Sequence, residues 1–395
     1  MLIITQPNAQ ETWGAQGDFP DKTYQGNDDY INAYAITDAY STSLADTWGK
    51  RDRDGFYGRM GDNEPLFRQE LLSSSWMMQA ISHIPVLYDP GQAFTMGSNT
   101  LCSGRKDGAR FIKRVPFRGT KYRLADTETC ASVTYQDLTS LLNFAGSEFF
   151  IKTLQGLFYS SISLDILRTG FNGTHAAVNT DPEKYPMGED INTGWHGTAR
   201  KYNGGSQIIT DNFTLGAGGD FSNIDELAQH VINEKIPQPL RERPDLVVLV
   251  GYELAAHDRA RLFSDADKKV TLSGMERMQS QVAGRFAFIP PFMPGKRLTV
   301  TTLANLQVMS GIGTQRLKVG WNDDTKTFDH YYIRAEAYAL GDPLMYAATD
   351  ESAVTFTKAG GAGKPPEADT PPVAVADMPE TAEAVQAAEA EKTTD

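Results

Sequence analysis

Six histidines, His83, His175, His196, His230, His257 and His330, are the side chains best suited to bind a transition metal or to move protons near neutral pH. No two of them are spaced as His-x-x-x-His, the interval that sets two imidazoles on one helix face, so they read as structural or surface residues. The two cysteines, Cys102 and Cys130, are too few for a disulfide framework, and neither has a second Cys or His at ligand spacing. They read as incidental thiols of a protein made in a reducing cytoplasm. Gly216-Ala-Gly-Gly-Asp precedes a helical segment as a phosphate loop would. No strand is expected directly before it, and no complete Gly-x-Gly-x-x-Gly or Walker pattern occurs, so a flexible turn is the expectation. There is no Gly-x-Ser-x-Gly elbow, and acidic neighbours such as Asp225 and Glu226 are more simply a solvated helix start. Asn172-Gly-Thr and Asn212-Phe-Thr match the glycosylation sequon by chance in a chain with no secretion signal. The residues therefore hold no catalytic set, no cofactor site and no metal site, and no enzyme activity is expected.

The remaining charge feature is a basic island: Arg105, Lys106, Arg110, Lys113, Arg114, Arg118, Lys121 and Arg123 meet few acids. The chain around it is acidic, with a formal net charge of -13. That balance argues against a surface that grips nucleic acid throughout, since phosphate contact needs clustered Lys and Arg. The island is either a solvated loop or an arm lying on an acidic neighbour, where many modest contacts add up.

With 395 residues, 40% of them hydrophobic, the chain can bury a substantial core and form more than one globular unit. The start, from Met1 to Gln10, has neither a positive region nor a long apolar run, and no segment reaches membrane-spanning length, so a soluble intracellular product is expected.

The elements that carry the island follow from periodicity. Residues up to about 60 read as an extended arm with short helices and little core of its own. A helix is expected from about Gln69 to Ile81, with Leu71, Leu72, Trp76 and Met77 on helical spacing. Val86 to Thr134 reads as Gly-rich, strand-like runs, with Phe111-Ile-Lys-Arg-Val-Pro-Phe as an exposed hairpin.

Tyr135 to Thr169 carries the longest helical signal, with Leu138, Leu141, Leu142, Ala145, Phe149, Leu157 and Ile162 near a 3.6-residue period. It would be a rod of about 50 Å ended by Asn172-Gly. Gly146 and Gly156 inside it cost about 1 kcal/mol each relative to Ala, giving two soft places. A polar loop region is expected to about Gly219, then a helix capped by Ser222 with Asp225 in a capping-box position and Pro237 and Pro239 as its stop. Asp245 to Gly251 reads as a buried strand, and helices follow at Tyr252 to Phe263 and Met275 to Ala283. Phe286 to Val308 and Arg316 to Asp342 read as strands and turns, and the Ala, Pro, Glu and Thr stretch from Lys358 as disordered.

At Ser163-Leu-Asp-Ile-Leu-Arg-Thr-Gly-Phe-Asn-Gly the sequence resembles the major capsid proteins of the P2-like tailed phages. Asp190-Ile-Asn-Thr-Gly-Trp, Gly218-Gly-Asp-Phe, Ile224-Asp-Glu-Leu, Arg243-Pro-Asp-Leu-Val-Val-Leu-Val-Gly, Ile289-Pro-Pro-Phe-Met-Pro and Leu303-Ala-Asn-Leu-Gln-Val continue the likeness in the same order.

The resemblance implies an α+β, Hong Kong 97-type capsid fold with N-arm, extended E-loop, long spine helix, peripheral domain and axial domain. Its division would be 1–70 arm, 71–134 helix and E-loop, 135–220 spine and peripheral segment, 221–310 axial domain, 311–357 return to the peripheral domain, and 358–395 acidic tail. It places the basic island on the E-loop as an intersubunit contact and makes Gly146 and Gly156 flex points of the spine. It implies a structural subunit assembling with itself as hexamers and pentamers around double-stranded DNA, assembled in the host bacterial cytoplasm and residing in the virion capsid. Scaffolding protein or maturation protease, portal protein and a decoration protein are the implied partners, with no membrane. An encapsulin-like compartment shell is the nearest alternative, and a nucleotide-binding α/β enzyme near Gly216 a more distant one.

Overall fold

Four consecutive apolar residues, Val247–Val250, have no polar face to offer water, and the fold asks for none. A computed structural model describes residues 35, 37, 38, 40, 41, 53–57, 75–94, 103–113, 119–264 and 281–357. In it this strand lies between two apolar cores, Val247 and Leu249 facing one, Val248 and Val250 the other. Successive strand side chains point to opposite faces, so a strand buried on both sides is apolar throughout.

In chain order the described helices are α1 (Trp76–Ala80), α2 (Tyr135–Asn172), α3 (Trp195–Lys201), α4 (Ile224–Lys235), α5 (Gln238–Arg241) and α6 (Tyr252–Ser264). The strands are β1 (Ser82–Val86), β2 (Gly91–Gln92), β3 (Lys121–Tyr122), β4 (Ala125–Thr134), β5 (Ile208–Ile209), β6 (Phe213–Leu215), β7 (Val247–Val250) and β8 (Gln281–Val282). They continue as β9 (Arg285–Phe288), β10 (Leu298–Thr301), β11 (Leu306–Gly311), β12 (Arg316–Asn322), β13 (Thr327–Leu340), β14 (Ala347–Thr349) and β15 (Val354–Phe356).

One sheet runs β1-β11-β13-β12, with β4 also paired to β13, from Thr134 opposite Thr327 to Ala125 opposite Glu336. A second runs β5-β14-β10-β7-β9-β8, and β15 pairs with β6 beside it. The sheets cross the sequence-based division at residue 310, because β11 belongs to the first sheet whereas β14, from the stretch beyond 311, joins β10 in the second.

Helix α2 covers the first sheet. Leu154, Phe158, Ile162 and Ile166 recur every four residues on one face and share a core with Leu317, Phe328 and Tyr332. Leu157, expected on that face, is one position out of register and 43% exposed. The helix continues unbroken through Gly146 and Gly156, and its start is a capping pair in which Asp137 N donates to Thr134 Oγ1 (3.2 Å). The N-terminal arm contributes to the same core through Tyr40 and Tyr57, and Tyr57 exchanges backbone hydrogen bonds with Leu317 (2.7 and 3.3 Å).

Several expectations change. The stretch to Gly219 is not a polar loop throughout: it holds α3, β5 and β6, with Trp195 and Ala199 fully buried in the core of α2. Its many Gly, Asn and Asp residues hid a helix of only 7 residues. The cap of α4 is Asn223 rather than Ser222. Asn223 Oδ1 accepts from Glu226 N (2.8 Å), and Glu226 rather than Asp225 closes the box, its Oε2 accepting from Ser222 N (2.8 Å). Residues 281–283, expected as the end of a helix, are strand and turn, with Ala283 at φ 51; residues 265–280 lie outside the described set. Of the expected hairpin at 111–117, residues 111–113 are without regular structure and 114–117 are outside the described set, as are 69–74 of the first helix and the tail from 358.

His330 sits in the first core, stacked on Phe158 with ring centroids 4.2 Å apart. Burial holds its imidazole at about 3, down from 6.5. The folded state therefore binds this proton more weakly than the unfolded chain, so stability is full above pH 6.5 and falls with acidification down toward pH 3. We expect His330→Phe to flatten the acid side of the stability profile by about 1.4 kcal/mol per pH unit in urea unfolding. Identical slopes for variant and wild type would refute this.

Candidate functional site

The basic island is carried on a projection between β1 and β4. Its base is fixed by backbone and carboxylate bonds: Ala93 N donates to Thr120 O (2.9 Å), Thr120 N to Leu340 O (3.0 Å), and Leu124 N to Asp89 Oδ1 (2.8 Å). Gly119, at φ +150, is required here, since a Cβ would stand 1.8 Å from Ala93 O. Tyr122 closes the ribbon of β2 and β3, and burial, then Asp89, pushes its hydroxyl above the usual range.

Beyond this base no described residue covers the described part of the projection. Arg105, Lys106, Arg110, Lys113, Lys121 and Arg123 are all exposed, whereas Arg114 and Arg118 lie outside the described residues. The structure thus brings the cations to one projection without pairing them to described acids. Sequence reasoning had Ile112 in an exposed segment but missed Leu87 and Tyr88 before the cations; these three are 80, 72 and 78% exposed.

A second cluster joins the end of α2 to the second sheet. Arg297 is held bidentately by Glu351 (2.9 and 3.0 Å) and donates to Phe171 O (2.6 Å), while Asn172 Nδ2 donates to Phe292 O (2.8 Å). Arg200 pairs with Asp350 alongside. His196 Nδ1 meets Tyr346 Oη at 3.1 Å, and burial, with Arg297 and Arg200, holds the imidazole well below its usual range. A neutral histidine, two arginines and two carboxylates make a structural joint.

The glycine turn at 216–219 does follow a strand, contrary to expectation: β6 immediately precedes it. Three of its backbone donors are already used, Gly216 N by Phe221 O, Gly219 N by Gly216 O and Asp220 N by Thr214 Oγ1. A phosphate cradle needs such groups free. Among the described residues no group of three or more His, Cys, Asp or Glu is placed to hold a metal ion. Cys130 is exposed, and Cys102 lies outside the described residues. No described helix is long and apolar enough to cross a membrane.

Two packed sheets, a long helix along one of them and an uncovered projection frame the comparisons with known proteins. The family model for the phage major capsid protein, P2 family, matches residues 37–352. The chain belongs to that family. The capsid protein of Escherichia phage P2 is 25% identical over 306 residues, covering 71% of this chain and 83% of the relative. A solved structure of the satellite phage P4 procapsid including size determination (Sid) protein superposes with a TM-score of 0.61 at 21% identity, covering 74% of this chain and 99% of that one. The fold of this capsid protein is thus α+β and Hong Kong 97-type; within it we propose that α2 is the spine, the first sheet the peripheral domain, the second the axial domain, and the projection the E-loop. It is a structural major capsid protein of a phage, a component of the virion shell.

Proposed function

We propose that this capsid protein assembles as hexamers and pentamers into an icosahedral head that encloses double-stranded DNA without sequence specificity, and that it does so in the host bacterial cytoplasm. The observation that carries the reading is the E-loop, whose cations and large apolar side chains no described residue covers. Laid on a neighbouring subunit, those apolar side chains leave water, and each contact is multiplied by avidity around a closed shell. Heterologous contacts close into rings where their rotation permits. Scaffolding protein or maturation protease, portal protein and a decoration protein complete the proposed set of partners. Electron microscopy of the full-length chain expressed with and without the phage's scaffold tests the reading: closed shells or curved sheets support it, and a dispersed monomer at high concentration overturns it.

Shell expansion would bend or straighten the spine, and Gly146 and Gly156 are the proposed flex points. A Cβ at Gly156 meets nothing within 4 Å, so replacement there acts through helix stiffness alone. Gly146→Ala with Gly156→Ala should stiffen α2 by about 1 kcal/mol per site and slow expansion, followed by the change in particle diameter over time. An unchanged transition removes the two glycines from the mechanism.

A further inference from the structure

The peripheral sheet is oppositely charged at its two ends. Where Ala337 and Tyr338 pass beside β3, a groove of about 930 Å³ is lined by Lys121, Arg123 and Lys201 over apolar Leu124 and Val178, with no acidic wall among the described residues. At the far end, where β12 turns into β13, a recess of about 510 Å³ gathers Glu128, Asp323, Asp324 and Asp329 around the one cation Lys318.

Both ends belong to one continuous strand, β13, and the turn is fixed to it by the pairing of Asn322 with Thr327. Ten residues separate Thr327 from Ala337, about 34 Å at roughly 3.4 Å each. The acidic turn of a copy therefore cannot reach its own groove. It is free to enter the groove of the next, and a rigid element with unlike ends associates head to tail, the heterologous geometry that closes into rings.

We propose that the cationic groove at the base of the E-loop receives the acidic β12–β13 turn, Asp323 and Asp324, of a second copy. Asp323 and Asp324 are exposed at the tip of the turn, with one exposed cation, Lys326, beside them and Asp323 Oδ1 accepting from Tyr135 Oη (3.0 Å), and Lys121, Arg123 and Lys201 are exposed on the groove. Val178, 99% exposed on the groove wall, gains cover in the same contact. The second copy is favoured over nucleic acid because it brings acid and groove in equal numbers. Apolar Leu124 and Val178, moreover, have nothing to offer a phosphate. The inference rests on the shell reading above and specifies one contact within it.

The test uses full-length chains and the fraction sedimenting as shells. K121E/R123E and D323K/D324K should each lower that fraction about tenfold, and the two combined in one chain should recover it to within about threefold of wild type. Should charge reversal unfold the chain, the isosteric D323N/D324N carries the test, with an expected loss of about threefold. The inference is overturned if either turn variant, correctly folded, assembles like wild type, or if the combined variant assembles no better than the poorer of its parents. A groove that holds nucleic acid instead would give the first of these results. Wild-type shells with indifferent variants sink this contact alone, whereas a wild type that forms no shells sinks the shell reading with it.

Discussion

Glu336→Ala should cost the unassembled chain about 3–5 kcal/mol, the loss typical when one partner of a buried ion pair is removed. Arg334 and Glu336 are 5 and 1% exposed, two residues apart on β13, so their side chains leave the same face of the strand. Arg334 Nε donates to Glu336 Oε2 (2.6 Å), Arg334 Nη1 to Thr129 Oγ1 of β4 (2.9 Å), and Tyr338 Oη to Glu336 Oε1 (3.2 Å). Burial, the largest single influence, would lower the basicity of Arg334, yet the Glu336 carboxylate, together with Tyr332 and Tyr338, raises it. Without that carboxylate a guanidinium stays in the core facing Thr129 and the more distant Asp165, whose own carboxyl burial already pushes upward. Replacing both partners, as in Arg334→Met with Glu336→Leu, should cost far less, because no charge is stranded. Urea unfolding of the three chains reads the difference. A single variant losing under about 1 kcal/mol would show that the pair is not desolvated as its geometry says.

That pair also marks where reading the sequence stops. Elements set by local period were legible: α2 was expected from Tyr135 and begins there, and the run at 245–251 contains β7. The cap of α4 was missed by a single residue because Ser222 and Asn223 are both good caps, and only the backbone decides which N–H each side chain faces. Helix α3 was hidden because 7 residues hold less than two full periods, and its burial comes from α2 and the first sheet rather than from its own pattern.

The same limit applies to the assembly surfaces. The basic island was visible because its cations are close in sequence. Its acidic counterpart went unread although Asp323 and Asp324 are adjacent in the chain, because only the pairing of β4 with β13, across about 200 residues, adds Glu128 to them. Short motifs carried the family, because close backbone approaches demand particular small residues. Long-range pairing carried the charge pattern, and pairing leaves little trace in one sequence.

Among those close approaches, the crossing of the spine's end with the chain entering α3 should be the most sensitive to an added methyl group. A Cβ on Gly194 would stand 2.4 Å from Gly170 O and 2.5 Å from Thr169 O, and these are backbone atoms of a helix that cannot rotate aside. The contact is held by Gly194 N donating to Gly173 O (3.0 Å) and by Trp195 Nε1 donating to Gln307 O (3.0 Å), so yielding at one point strains the rest. Overpacking of this kind costs about 1–3 kcal/mol, and Gly194→Ala belongs at the upper end because both clashing atoms are main chain. Gly156→Ala on the same spine meets open space and should gain up to about 1 kcal/mol from helix propensity. One substitution type thus acquires opposite signs at two glycines, and melting curves of both variants read it. Since the crossing lies next to the joint where Arg297 grips Phe171 O, Gly194→Ala should also loosen the axial domain from the spine and lower the yield of closed shells. Equal melting temperatures for the two variants would mean that the backbones do not approach as closely as this geometry requires.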